Sequence, residues 1–377
     1  IVVLLYQGRG VSIGEFFLIQ GLFRITAFLF EIPSGYLSDV FSRRKILIIG
    51  AFVQVLSMSW LFFAEGFWGV LLCETGLGLA SALFSGTKEA YAFDLLKRIG
   101  REKDYLRENG SIHTFSQVAT FTAVLTGGAL YAINENLVLG AEVLSALIAL
   151  GIFMLLPELR EVRRKVVPES SPWRDCLSIV KMSVKHPEIK WLMIFPTVYS
   201  GFTIILLWIL QPVMQTALVP VALFGFFVGI NQGSRAVFSK ISHRLKKFLG
   251  VRSLLFICIG ALFAGFAAAI AAVYAAGNMT LVYAITAFIA IIPATQSMYG
   301  LVFKDYIHHK IQSTERGTVL SVYSMFNMGI SGLMMILAKP LLDNVGIVPT
   351  MLVCLVVLAL ILFPLKKVLT IKGIQDE

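Results

Sequence analysis

The chain has 377 residues, 57% of them hydrophobic and only 14% charged, with a mean hydropathy of +0.82 and a net charge of +10. Soluble globular proteins carry roughly 25% charged residues, so this much apolar surface cannot be packed away in a soluble core. A nucleic-acid partner is excluded as well, because the cations stand in short blocks between apolar runs and form no basic face.

The unit of organisation is the membrane span, about 20 apolar residues for a bilayer core of about 30 Å. In chain order, spans are predicted near 1–6, 13–38, 43–64, 67–96, 105–133 and 137–156. After a longer connector they follow near 188–216, 219–242, 250–276, 279–307, 312–340 and 346–369. The opening "IVVLLYQGRG" is too short for a span or a signal peptide and reads as the outer end of a first helix whose start precedes Ile1. The layout is an all-α polytopic membrane protein, six spans plus six. It divides into an N-terminal bundle (1–156), a cytoplasmic linker (157–187) and a C-terminal bundle (188–377). Strands of about ten alternating residues, the mark of a membrane β-barrel, do not occur.

Lysine and arginine fix the orientation, since they favour the cytoplasmic side. Of the 32 cations, 27 lie in or beside the connectors after even-numbered spans and in the C-terminal tail; the others are Arg9, Arg24, Lys88, Arg235 and Lys339. The opposite connectors, such as "AEGF", "NEN" and "AAGN", are nearly bare. Both termini are therefore expected in the cytoplasm, for a multi-pass protein of the inner or plasma membrane. Within the linker, Ser171 and Pro172 open a helix whose Trp173, Leu177, Val180 and Val184 recur every three or four residues. That pattern suits a helix lying on the membrane surface, and a solvated linker helix equally.

The stretch "EIPSGYLSDVFSRRK" (31–45) ends a span in an acid, a serine and three cations. Gly35, Leu37, Asp39, Ser42, Arg43 and Arg44 are spaced as in the signature loop of the major facilitator superfamily, G-x-L-x-D-R-x-G-R-K/R, which this turn resembles. Val40 and Ser42 stand where that loop usually has arginine and glycine. "SGTKEAYAFDLL", "GREKDYLRENGSI" and "STERGTVLSVYSMFNMG" are similar to an efflux-type branch with an E-I-P-[ST]-G second helix.

The resemblance covers essentially the whole chain and implies the major facilitator fold, two pseudo-symmetric six-helix bundles that rock about a central cavity. It also implies a latch. Asp39 would sit at the N-terminus of the eleventh helix, where free N–H groups and the dipole favour an anion. Arg43 would pair with Asp94, with Arg44 beside them, and Gly35 would let helices two and eleven approach closely. The implied activity is secondary transport by a monomer that moves a small molecule, with protons, across the lipid bilayer. Export of an amphipathic compound or drug comes first; uptake of a small metabolite and a non-transporting sensor are the alternatives. In "AVLTGG", the antiporter motif of the fifth helix survives without its proline, and the fourth span lacks the arginine usual in drug–proton antiporters.

Ionisable residues inside spans are costly and mark functional sites. Glu31 and Glu89 are the candidates for taking up and releasing a proton. Arg24 lies mid-span, seven residues before Glu31, so both point to one side about 10 Å apart along the axis. Arg24 and Arg235 are candidates for holding an anionic or polar part of the substrate. His113 with Gln117, and Asn231 with Arg235, are four residues apart and so share a face. With Gln296 and Asn327 they complete the cavity candidates, hydrogen bonding between helices being their other use. Glu74, Glu142 and Lys88 read as structural, the two acids near the outer surface. The four cysteines show no C-x-x-C spacing. No nucleophile–base pair, metal-ligand cluster or phosphate loop falls in a span, so neither an enzyme nor a cofactor is expected.

Overall fold

The computed structural model describes residues 1–159, 187–275, 277–298, 300 and 313–362, with the side chains of Asp39, His113, 187–193 and 313–322 among those outside the description. The predicted linker helix and the C-terminal tail also lie outside the described residues. Within them the chain is helical and no strand occurs. The N-terminal half holds α1 (Val2–Gln7), α2 (Ile13–Val40), α3 (Arg43–Trp60), α4 (Gly66–Phe84), α5 (Thr87–Arg98), α6 (Tyr105–Ile133) and α7 (Glu135–Leu155). The C-terminal half holds α8 (Pro187–Thr216), α9 (Phe224–Tyr274), α10 (Met279–Ile291), α11 (Ser313–Val345) and α12 (Ile347–Leu362). Among the described residues nine helical stretches are long and apolar enough to cross a membrane.

Local chemistry sets the helix ends. Ser12 and Glu15 form a reciprocal capping box at the start of α2: Ser12 Oγ accepts from the Glu15 N–H at 3.1 Å, and Glu15 Oε2 from the Ser12 N–H at 2.9 Å. The predicted span 67–96 is broken into α4 and α5 at Gly86, where φ is +68°, a backbone region L-residues avoid. Gly86→Ala is expected to destabilise the chain by about 1 kcal/mol, read as a lower melting midpoint in detergent. α9 is two helices joined at Gly250, where the backbone leaves the helical region (φ 72°, ψ 161°); the first runs on through the connector expected between the two predicted spans, and the second begins where predicted. After α10 the chain tightens into a 3-10 turn at Ile292–Ala294, where Pro293 removes a backbone donor.

Large apolar side chains lie exposed along the molecule, among them Phe63, Phe115, Leu155 and Phe248. A surface of that kind belongs in lipid. Trp60 and Trp68 stand at the charge-poor end, where amphipathic rings favour the membrane interface. Because lipid tails are as apolar as leucine, the halves gain little from hydrophobic burial against each other; close backbone approach at small residues must hold them.

That approach is seen along the antiparallel pair α2 and α11. Gly14 meets Asp343, Gly21 faces Gly332 and Ile336, and Phe28 faces Gly329, a step of seven residues or about two turns each time. A Cβ on Gly21 would stand 2.8 Å from the Gly332 carbonyl oxygen, and one on Gly332 would stand 2.9 Å from that of Gly21. Ser12 Oγ donates to Asp343 Oδ1 at 3.2 Å at the charge-poor end, and Lys339 Nζ donates to Asp343 Oδ2 at 2.6 Å. Three further helix pairs close the same end. Gly225 of α9 packs on the backbone of Val124 and Leu125 in α6. Gln215 of α8 donates to Gln7 at 2.6 Å, and the Phe16 and Trp208 rings meet at 5.2 Å.

The next step of the ladder is Gly35, which is exposed; a Cβ there would meet nothing among the described residues within 4 Å. Among the described residues, the contacts between the halves lie at the charge-poor end and at mid-span. In this conformation the close approach of the two helices is made by Gly14, Gly21 and Gly332, and Gly35 stands exposed beside Tyr36.

Candidate transport site

Midway along the ladder the packing turns polar. Arg24, on the edge of the α2 face that meets α11, donates from Nη1 to Ser331 Oγ at 3.3 Å. Ser331 donates in turn to the Asn327 carbonyl at 2.5 Å. Behind it, Gln296 Nε2 donates to Ser200 Oγ at 2.6 Å, and Ser200 Oγ donates to Asn327 Oδ1 at 3.2 Å. Three predicted cavity residues, Arg24, Gln296 and Asn327, are thus brought into one layer that joins the halves, and Ser200 and Ser331 complete it. The two serines carried no sequence signal, since hydroxyls in spans commonly bond their own helix.

Glu31 lies two turns beyond Arg24 on the same side of α2. Its Oε1 accepts from Ser85 Oγ at 2.7 Å, while its Oε2 is buried without a hydrogen-bond partner. Asn231 is buried and donates to the Ala290 carbonyl at 2.9 Å, a bond between α9 and α10 inside the C-terminal half. Arg235 follows one turn later and is half-buried. Gln117 and Glu89 are exposed, and the His113 side chain lies outside the described residues.

At the basic end, Arg43 forms an ion pair with Asp94 and donates to the Ala90 carbonyl at 3.2 Å, tying the first turn of α3 to α5. Arg44 reaches the other way, to the Met154 carbonyl at the end of α7. The Asp39 backbone ends α2 beside them; its side chain lies outside the described residues.

One acid is placed differently from the expectation. Glu74 was expected near the outer surface, but it is buried among α1, α2 and α4, where it accepts from Tyr6 Oη and, at 2.8 Å, from Gln20 Nε2. Both donors are neutral, and Gln20 is one turn from Arg24 on α2. Its partners come from 68 and 54 residues away in sequence, so no local pattern announced the contact.

The model of the Major Facilitator Superfamily matches residues 1–334. The chain is 30% identical, over 129 residues, to the uncharacterized transporter BU466 of Buchnera aphidicola subsp. Acyrthosiphon pisum (strain APS). That stretch covers 33% of this chain and 30% of the relative, so the match spans about a third of the curated protein. A point mutant of the nucleoside transporter NupG superposes with a TM-score of 0.78 at 15% identity, covering 94% of this chain and 90% of that one. A bacterial homologue of the human lysosomal transporter Spinster, solved in an inward-facing and unoccupied conformation, gives 0.67 at 17%, covering 89% and 76%. At these identities the likeness is one of fold. With its described helices in two halves joined at a polar layer, and a family match over most of its length, the chain belongs to the Major Facilitator Superfamily.

Proposed function

We propose that this transporter works by alternating access, its halves rocking about the Arg24–Ser331 layer, and that it couples export of a small amphipathic molecule to protons. The observation that carries the reading is the ladder of α2 and α11, packed from Gly14 to Phe28 and open at Gly35. Because cations favour the cytoplasm, the open end faces inward and both termini are cytoplasmic. Linker 157–187 then hinges two bundles at 1–156 and 188–377, and the unit is a monomer. Uptake stands as a second reading, supported by the incomplete antiporter motif at "AVLTGG".

In the opposite state the ladder would close along its whole length. Keeping the same register, Gly35 comes opposite Val322, and Asp39 opposite Thr318 in the first turns of α11. The free N–H groups of the helix start, on the first four residues from Ser313, lie within about a turn of Thr318 and favour an acid beside them. Asp39 is then the latch, and the Arg43–Asp94 pair with Arg44 holds the turn that presents it.

Glu31 and Glu89 are the acids proposed to exchange protons, with Glu74 as a third. Reconstituted vesicles loaded with labelled candidate compounds test the function: protein-dependent counterflow is expected, and a pH gradient is expected to drive net flux. A chain that exchanges nothing across a broad panel is a sensor and not a carrier. With Glu31, Glu74 and Glu89 all changed to Gln, counterflow should persist while the pH-driven component disappears. An unaltered pH dependence would remove these acids from the coupling.

A further inference from the structure

We propose that the polar layer is an anion site, and that the molecule carried is a small organic anion whose carboxylate or phosphate seats on Arg24. This rests on the transport reading and names its substrate class.

Arg24 is a cation in the middle of a span, at the meeting of the halves. Its hydrogen bond to Ser331 is long at 3.3 Å, and its Nε is buried without a partner. None of the ion pairs among the described residues includes it. The groups around it, Ser331, Asn327, Ser200 and Gln296, are all neutral and already bonded to each other. A guanidinium in that setting is expensive to keep, because desolvating a charge costs far more than neutral hydroxyls return. A purely structural position would be served by glutamine. What glutamine cannot supply is a planar fork of donors that matches a carboxylate or phosphate two bonds at a time.

Glu31 narrows the class further. Its backbone lies about 10 Å along the axis from that of Arg24, and its Oε2 is buried without a partner. A hydroxylated or amino-bearing anion that bridges the two would place its charge on Arg24 and its donor on Glu31. Phe28, one turn beyond Arg24 on the same face, supplies an apolar wall for an amphipathic body.

The test uses the full chain purified in detergent, melted alone and with matched probes: 4-hydroxybenzoate against 4-hydroxybenzamide, and glycerol 3-phosphate against glycerol. At least one anion is expected to raise the melting midpoint by about 5 °C at a hundredfold excess over its Kd, with its neutral partner inert. The carboxylate and phosphate arms separate the two chemistries. Arg24→Gln should abolish the shift and Arg24→Lys keep part of it. Without probe, Arg24→Gln should melt at or above the parent, since it removes an uncompensated charge. An Arg24→Gln chain that melts below the parent, an anion that shifts both equally, or no shift from either anion overturns the site. Melting needs no transport, so failed counterflow with an intact Arg24-dependent shift would sink the transport cycle alone.

Discussion

Asp39→Asn is expected to abolish net transport, by about 10- to 100-fold, while the protein still inserts and folds. A carboxylate on helix N–H groups makes charge-assisted bonds worth about 1.5–3 kcal/mol, and each 1.4 kcal/mol is tenfold in a two-state equilibrium. The bond is proposed only for the state closed at the basic end, so its loss shifts the population and leaves the fold intact. The structure at hand, open at that end, would become the dominant one. Transport measured in vesicles beside the amount of folded protein recovered from the membrane checks this. Unchanged flux in Asp39→Asn would rule the latch out.

Gly332→Leu should be comparably severe and push in the opposite direction. A Cβ at this position already falls 2.9 Å from the Gly21 carbonyl oxygen and 3.1 Å from the Arg24 Cβ, and the remaining atoms of leucine have no space. Overpacking of this kind costs about 1–3 kcal/mol, and here it is relieved by separating α2 from α11. The charge-poor end then cannot close. A cysteine placed at Phe16, which is fully buried against Trp208 of the other half in the closed end, should become labelled from outside in Gly332→Leu and stay protected in the parent. Gly332→Ala should fall between the two.

The helical spans were legible because bilayer thickness imposes a length on each helix, and no soluble alternative fits a chain this apolar. The shared side of Arg24 and Glu31 was legible too, since seven residues make nearly two turns. Gly35 continues the spacing of Gly14 and Gly21, but which rung of the ladder is covered depends on the conformation. The burial of Glu74 escaped because Tyr6 and Gln20 reach it only through tertiary packing. The helical course of α9 through its basic connector escaped because lysines and arginines there are good helix formers, whose charge marks a membrane boundary without ending a helix. Arg43 and Asp94 were matched through a resemblance to a family turn, and the Arg44 contact to Met154 had no local signal at all.

The proposed cycle puts Gly35 at the cytoplasmic mouth of a gap between two moving halves. A single cysteine at Gly35, in a chain whose four native cysteines are changed to serine, tests this most directly with a membrane-impermeant maleimide. Rapid labelling in inverted vesicles, slowed while a transported compound cycles the protein, with no labelling in intact cells, is the predicted result. Labelling of Gly35→Cys from the outside of intact cells would contradict it.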